Sequence, residues 1–190
     1  KYFYDDRGSR LFEAITTLPE YYQTRTEESL LKTIAGEVAA RTQARQLVEL
    51  GSGAGRQIRP LLDAMAQGGH LEGCILPDIN QTFPLPSAQP PEAEYPGMEV
   101  VGWVGDFVQD IGSIGPGPDR LFVFHAGTIG NLNPTERAGF LRDVSSALGP
   151  RDAFLVGLDL VKDVKRLEAA YNDEAGVTAK FNRNILRVLN

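Results

Sequence analysis

The chain has little cysteine, no strongly basic segment and no long apolar segment. Cys74 is the only cysteine in 190 residues, which excludes an internal disulfide and fits a reducing compartment, so we expect a cytoplasmic protein. No apolar run approaches the roughly 20 residues that a membrane span needs. The formal net charge is −6 without a basic run, so we expect neither a nucleic-acid partner nor a membrane partner.

Residues for two common kinds of catalytic site are also missing. The two histidines, His70 and His125, have no neighbouring cysteine, histidine or paired carboxylate at metal-ligand spacing, so we expect no metal site. No G-x-S-x-G sequence is present, so a serine hydrolase with a nucleophile elbow is not supported.

Strand and helix patterns alternate along the chain, and its length suits one globular domain. Short apolar runs that end in turn residues predict strands at residues 46–50, 73–76, 98–104, 121–124 and 153–158. Helices are predicted within residues 2–18, from 24 or 26 through 38, near 58–65 and from 133 to 148. This order predicts an α/β fold with a parallel sheet and helices on both faces.

The segment QLVELGSGAG at residues 46–55 joins a buried strand to a glycine-rich turn. Glycines there let a ligand approach bare backbone and permit positive φ. A dinucleotide site wants G-x-G-x-x-G, whereas Arg56 stands where the third glycine of that motif would fall. A G-x-G-x-G turn after an acidic residue resembles the S-adenosylmethionine (SAM) loop of class I methyltransferases. A glycine turn that merely ends a strand is the alternative.

Three acidic or aromatic residues follow later strands, at the edge where ligands bind in such sheets. Asp78 has the bidentate carboxylate that suits two ribose hydroxyls, although an ordinary Pro-Asp turn would also explain it. Asp106 could accept from an adenine amino group beside the Phe107 ring, or could simply cap a turn. Both alternatives stay open from spacing alone.

The polar segment GTIGNLNP at residues 127–134 contains Asn131, whose amide donates and accepts without charge. That property suits a methyl-accepting amine, which must be neutral to react. Tyr4, Tyr21, Tyr22 and Tyr171 could supply rings against a cation or an imidazole, or could be half-buried packing residues.

Six stretches of the chain together resemble the histidine-specific SAM-dependent methyltransferases of ergothioneine biosynthesis. They are KYFYDDRGSRLFEAITTLPEYYQTRTE, LVELGSGAG, YPGMEVVGWVGDF, TIGNLNPTERAGFL, GLDLVKD and AAYNDEAGVTAKFNRNILRVLN. The resemblance implies a Rossmann-like SAM-binding fold and an N-methyltransferase. It also implies that SAM trimethylates the α-amino group of L-histidine to give hercynine.

The resemblance also implies roles for individual residues. On the cofactor side it implies Tyr4, Gly51, Ser52, Gly53, Asp78, Asp106 and Phe107. On the substrate side it implies Tyr21, Asn131 and Tyr171. It assigns no catalytic base. It implies an N-terminal helical segment over residues 1–40, which covers the site, and a SAM-binding domain over residues 41–190.

Several positions depart from the family pattern. Ala54-Gly55-Arg56-Gln57 replaces a threonine-serine-glutamate-lysine run, and Ala126-Gly127 replaces glycine-serine. Five prolines lie in residues 82–96, where the family has a helix. We expect the chain to be a fragment without the family's C-terminal substrate domain. A non-catalytic SAM-binding module, or a methyltransferase of another small amine, remains an alternative.

Overall fold

The computed structural model describes residues 5–51, 57–77 and 94–189, arranged as two compact units. The sheet unit comprises residues 29–158, and the terminal unit comprises residues 1–28 and 159–190. One boundary between them therefore falls inside a helix, between Glu28 and Ser29. The predicted boundary at residue 40, between a helical segment that covers the site and the SAM-binding domain, stays a prediction.

Six α-helices and five β-strands alternate through most of the described chain. The helices are α1 (Asp6–Thr16), α2 (Gln23–Thr42), α3 (Arg59–Gln67), α4 (Pro134–Ala147), α5 (Val164–Tyr171) and α6 (Val177–Leu189). The strands are β1 (Gln46–Glu49), β2 (Gly73–Pro77), β3 (Glu99–Trp103), β4 (Arg120–Phe124) and β5 (Ala153–Val156). Two 3-10 turns, Ile111–Ile114 and Thr128–Asn131, flank β4.

The five strands form one parallel sheet in the order β3-β2-β1-β4-β5. Strand β1 lies at the centre, with Leu47 opposite Cys74 of β2 and Leu121 of β4. The chain passes from β1 to β2 on one side and later returns to β4 on the other. The strand order therefore reverses between β1 and β4, where α/β sheets bind their ligands.

Alternating side chains of the central strands build a separate core on each face of the sheet. Leu47, Leu121 and Val123 pack with α2 and α3, whereas Val48 and Phe122 pack with α4. All five are almost fully buried, as expected for strands covered on both faces.

A buried ion pair joins the beginnings of β4 and β5. The Arg120 guanidinium donates from Nη2 to Asp152 Oδ2 at 2.6 Å, and both side chains are only 4% exposed. Arg120 Nη2 also donates to the Ala147 carbonyl at 2.9 Å, and its guanidinium carbon lies 4.7 Å from the Phe122 ring centroid. Because its donors have partners, the charge can stay in the interior.

The terminal unit contains α1, α5 and α6 around a small core of Ile15, Tyr21, Tyr22 and Ala170. Polar residues fix its helix ends. Asp5 accepts from the Gly8 amide at the start of α1 and from Asn184 Nδ2 of α6.

The predicted α/β class, with a parallel sheet and helices on both faces, is confirmed, as are all five strands to within a few residues. The predicted helices correspond to α1, α2, α3 and α4, whereas α5 and α6 were not predicted. In the part of the chain that the structure describes, no helix is long and apolar enough to cross a membrane.

Candidate functional site

Gly51, which follows β1, lies beside the end of β4 at the strand-order reversal of the sheet unit. Gly51 follows β1 with φ of +99°, a conformation that favours glycine. A Cβ at Gly51 would lie 3.5 Å from Cε2 of Phe124, the last residue of β4. Backbone conformation, rather than lack of space, therefore makes glycine necessary at this position.

Glu49, the last residue of β1, is a buried carboxylate beside this turn. It is 2% exposed, and its Oε2 has no hydrogen-bond partner among the described residues. Burial raises the pKa of Glu49 to about 8, because the interior solvates a charged carboxylate poorly. Burial, together with the negative charge of Glu49, also raises the pKa of the Cys74 thiol. The end of β1 is therefore a place where a cationic group would be stabilised.

Asp106 and Phe107 lie in the turn after β3. Asp106 is exposed, and its Oδ1 accepts from the Val108 amide at 2.9 Å while its own amide donates to Asp110 Oδ2 at 2.9 Å. Asp106 therefore caps this turn through Oδ1, as the alternative interpretation expected. The half-buried Phe107 ring lies 5.2 Å from that of Phe124. Gly51 and Phe107 therefore meet the same ring.

Gly105 holds this turn close to the end of β3. A Cβ at Gly105 would lie 2.4 Å from Cζ2 of Trp103, whose indole Nε1 donates to Ser113 Oγ at 2.9 Å. Only glycine allows the chain to pass this close to the indole ring. The tight passage fixes where Asp106 leaves the sheet.

The loop after β4 begins with two consecutive residues at positive φ. Ala126 has φ of +61° and Gly127 has φ of +62°. The left-handed conformation costs a non-glycine residue roughly 1–2 kcal/mol, and such strain clusters at functional sites. The strained pair turns the chain into the 3-10 turn Thr128–Asn131, where Thr128 Oγ1 donates to the His125 carbonyl at 2.9 Å.

Two asparagines close together in this loop have different surroundings. Asn133 Oδ1 accepts from the amides of Thr135 and Glu136 at 2.9 and 3.0 Å, and Glu136 Oε2 accepts from the Asn133 amide. This reciprocal capping box begins α4. Asn131 is exposed and takes no part in this capping box. Asn131 can therefore bind a ligand without cost to the helix.

In the terminal unit, the structure brings the two predicted substrate tyrosines together. Tyr21 is 7% exposed and Tyr171, the last residue of α5, is 59% exposed. Their ring centroids lie 6.1 Å apart at an interplanar angle of 88°, an edge-to-face pair. The ring centroid of Phe12, a residue of α1, lies 6.4 Å from that of Tyr21. Tyr171 therefore presents an open aromatic surface supported by a buried one.

The predicted site residues fall into three groups. Gly51, Phe107 and Asn131 lie in loops at the carboxyl edge of the sheet, and Asp106 begins one of these turns. Tyr21 and Tyr171 lie in the terminal unit. The predictions at Tyr4, Ser52, Gly53 and Asp78 lie outside the described residues. Among the residues that are described, no three histidine, cysteine, aspartate or glutamate side chains are grouped as a metal site would require.

Sequence reasoning did not single out the buried state of Glu49 or the partners of Tyr22. The acidic residue before the glycine turn was visible as part of the motif. Its lack of a partner depends on packing across the sheet. Tyr22 and its hydrogen-bond partner, Asp159, are 137 positions apart, a separation that no local pattern reveals.

Comparison with known proteins agrees with the residues that gave the resemblance. The family model described as "Histidine-specific methyltransferase, SAM-dependent" matches residues 1–190. The chain is 46% identical to the histidine N-alpha-methyltransferase of Mycobacterium tuberculosis and 48% identical to that of Mycolicibacterium smegmatis. Each match covers 100% of this chain and 59% of the relative. The chain is also 34% identical to ergothioneine biosynthesis protein 1 of Neurospora crassa, over 98% of this chain and 22% of that protein.

The chain thus spans 59% of the length of the two bacterial relatives. The family model covers it from end to end, and the resemblance drawn from its residues is confirmed. The chain belongs to the SAM-dependent, histidine-specific methyltransferase family.

Proposed function

We propose that the protein containing this chain transfers methyl groups from SAM to the α-amino group of L-histidine. The product would be trimethylhistidine (hercynine), an intermediate of ergothioneine biosynthesis. Family membership supports the reaction, and the two mycobacterial relatives, both histidine N-alpha-methyltransferases, support the substrate.

The observation that carries the cofactor half of the proposal is the buried carboxylate of Glu49, whose Oε2 has no hydrogen-bond partner among the described residues. A buried carboxylate needs a cation or a proton, and SAM carries an ammonium group and a sulfonium group. Glu49 lies two residues before Gly51, at the strand-order reversal where ligands bind. The residues present therefore fit this cofactor, which supplies an electrophilic methyl group when bound.

The protein's own residues would hold the two ends of the cofactor apart. Glu49 and the backbone at Gly51 would bind the amino-acid end, and Phe107 would pack against the adenine ring with Asp106 beside it. Asp78 remains the proposed ribose ligand. The Phe107 ring rests on Phe124 and Phe140 at centroid distances of 5.2 and 6.0 Å, so it can bind a flat base without moving.

On the substrate side, Asn131 would hold the amino-acid backbone of histidine, and Tyr21 and Tyr171 would contact the substrate through their rings. An uncharged amide can orient an amine without promoting its protonation. Orientation of the amine for in-line displacement is the main catalytic contribution expected here, since well-oriented reactants can gain ~7–11 kcal/mol. No residue is assigned as a dedicated base.

The test is calorimetric titration of S-adenosylhomocysteine and then L-histidine into the gene product and its Asn131→Ala variant. Loss of one or two hydrogen bonds should weaken histidine binding by about tenfold or more, with cofactor-product binding little changed. Equal losses for both ligands would contradict the substrate role of Asn131. Asn133→Ala is the matched control: it removes the helix cap at a cost of about 1 kcal/mol and should not weaken histidine binding selectively.

We further propose that the protein works in the cytoplasm. The lone cysteine, Cys74, is buried in the sheet, which fits a reducing compartment.

A further inference from the structure

Tyr22 of the terminal unit is held on several sides by charged groups. It is 6% exposed, and its hydroxyl donates to Asp159 Oδ2 at 2.6 Å. Lys162 Nζ lies 4.3 Å and the Arg166 guanidinium carbon 4.5 Å from its ring centroid. Lys162 also pairs with Asp159 Oδ1. We name this cluster the Tyr22 clamp; its members are Tyr22, Asp159, Lys162 and Arg166.

The clamp engages the N-terminal part of α5. Helix α5 begins after Asp163, whose Oδ1 accepts from the Arg166 amide at 3.1 Å. Arg166, on the first turn, stacks on Tyr22, and the last residue of the helix, Tyr171, meets the ring of Tyr21. The adjacent residues Tyr21 and Tyr22 therefore contact opposite ends of α5, which has eight residues.

This arrangement constrains the Tyr21–Tyr171 pair. Tyr22 cannot shift without breaking its hydrogen bond to Asp159, and Tyr21 moves with the backbone of Tyr22. A short helix transmits such a shift to Tyr171 almost undiminished, because its backbone hydrogen bonds hold it rigid. The clamp therefore fixes the spacing of two rings, one of which is 59% exposed.

We propose that Tyr22 and Asp159 are positioning residues that set the geometry of Tyr21 and Tyr171 for substrate binding. The inference rests on the proposed function, since it takes those two tyrosines as substrate contacts. Neither Tyr22 nor Asp159 touches substrate in this scheme. Their effect should appear in histidine binding, rather than in cofactor binding or in the chemical step.

The test is steady-state kinetics of the gene product and its Tyr22→Phe, Asp159→Asn and double variants. Tyr22→Phe keeps the ring beside the two cations and removes only the hydroxyl. We expect each single variant to raise KM for histidine about tenfold, with kcat and KM for SAM within about twofold. The double variant should be no worse than the poorer single variant, because both remove the same bond. Asp159→Glu, which keeps the carboxylate, should recover part of the loss.

Tyr95→Phe is a matched control in the sheet unit. Tyr95 is also 6% exposed, and its hydroxyl donates to the carboxylate of Asp63 at 2.7 Å. It should lower thermal stability without changing KM for histidine. If Tyr22→Phe behaves like Tyr95→Phe, the clamp is merely structural and the inference is overturned.

The wild-type protein separates this inference from the proposed function. If it does not methylate histidine, the proposed function fails first and the substrate role of the clamp falls with it. If it does, and KM for histidine is unchanged in Tyr22→Phe, only the clamp inference fails.

Discussion

Replacing Glu49 with glutamine should raise the unfolding free energy at alkaline pH and weaken binding of the cofactor. Glutamine has nearly the same shape as a protonated glutamic acid but cannot ionise. Glu49 is 2% exposed and its pKa in the folded protein is about 8, against an ordinary value of 4.5. The wild-type protein must therefore either keep a proton on this group or bear a buried charge.

Proton binding determines whether stability rises or falls with pH. The folded pKa is raised, so the folded protein holds a proton that the unfolded chain has released. The associated stability is fully present below pH 4.5 and is lost as pH rises through about 8. At about 1.4 kcal/mol for each pKa unit, the full loss is about 5 kcal/mol. Between pH 6 and 8 the variant should gain roughly 2–3 kcal/mol over wild type.

The assay is denaturant unfolding of both proteins at pH values from 5 to 9, without ligand. The difference in unfolding free energy should grow from pH 6 to 8 and level off above that range. A difference that does not change with pH would refute the buried, unpartnered state of Glu49. Glu99→Gln, the same change at an exposed position of β3, is the matched control. In a separate titration, S-adenosylhomocysteine should bind Glu49→Gln more weakly than wild type.

Two further predictions concern strain and buried charge in the sheet unit. Ala126→Gly should raise the unfolding free energy by about 0.5–1 kcal/mol, because glycine tolerates the φ of +61°. Ala138→Gly, at an exposed position of α4, should lower the unfolding free energy by about 1 kcal/mol. A loss of stability in both variants would argue against strain at Ala126. Asp152→Ala should cost about 3–5 kcal/mol by leaving Arg120 buried without its partner. Burial raises the pKa of Asp152, but hydrogen bonds from Arg120 and nearby amides lower it overall, so its stabilising contribution is present above pH about 4 and is lost on acidification. Unfolding by denaturant at pH 3 and 7 would test this, and an equal deficit at both pH values would contradict it.

The five strands were predictable because each has a short apolar run between turn residues. A strand covered on both faces is apolar along most of its length, as β4 is at the four positions after Arg120. The helices α5 and α6 were not predicted. Helix α5 has only eight residues, and exposed Val164 and Tyr171 stand at its ends, so its apolar spacing does not stand out from that of a loop.

The candidate site was predictable in part, through residues whose chemistry is local. The glycine turn and the TIGN segment can be recognised from their amino-acid composition. Substrate roles for Tyr21 and Tyr171 were implied only by the resemblance. The contact between their rings was not predicted, since the two residues are 150 positions apart. The unpartnered carboxylate of Glu49 and the partner of Arg120 depend on how neighbouring strands align. No spacing along one strand contains that information.

The division of labour between Asn131 and Asn133 bears on how such a protein can acquire new substrates. Asn133 and Glu136 form the capping box at the start of α4, and Asn131 takes no part in it. Evolution, or a designer, can vary that position and keep the helix behind it intact. The loop after β4 is therefore a place where variants can be tested for altered ligand binding without loss of the helix cap.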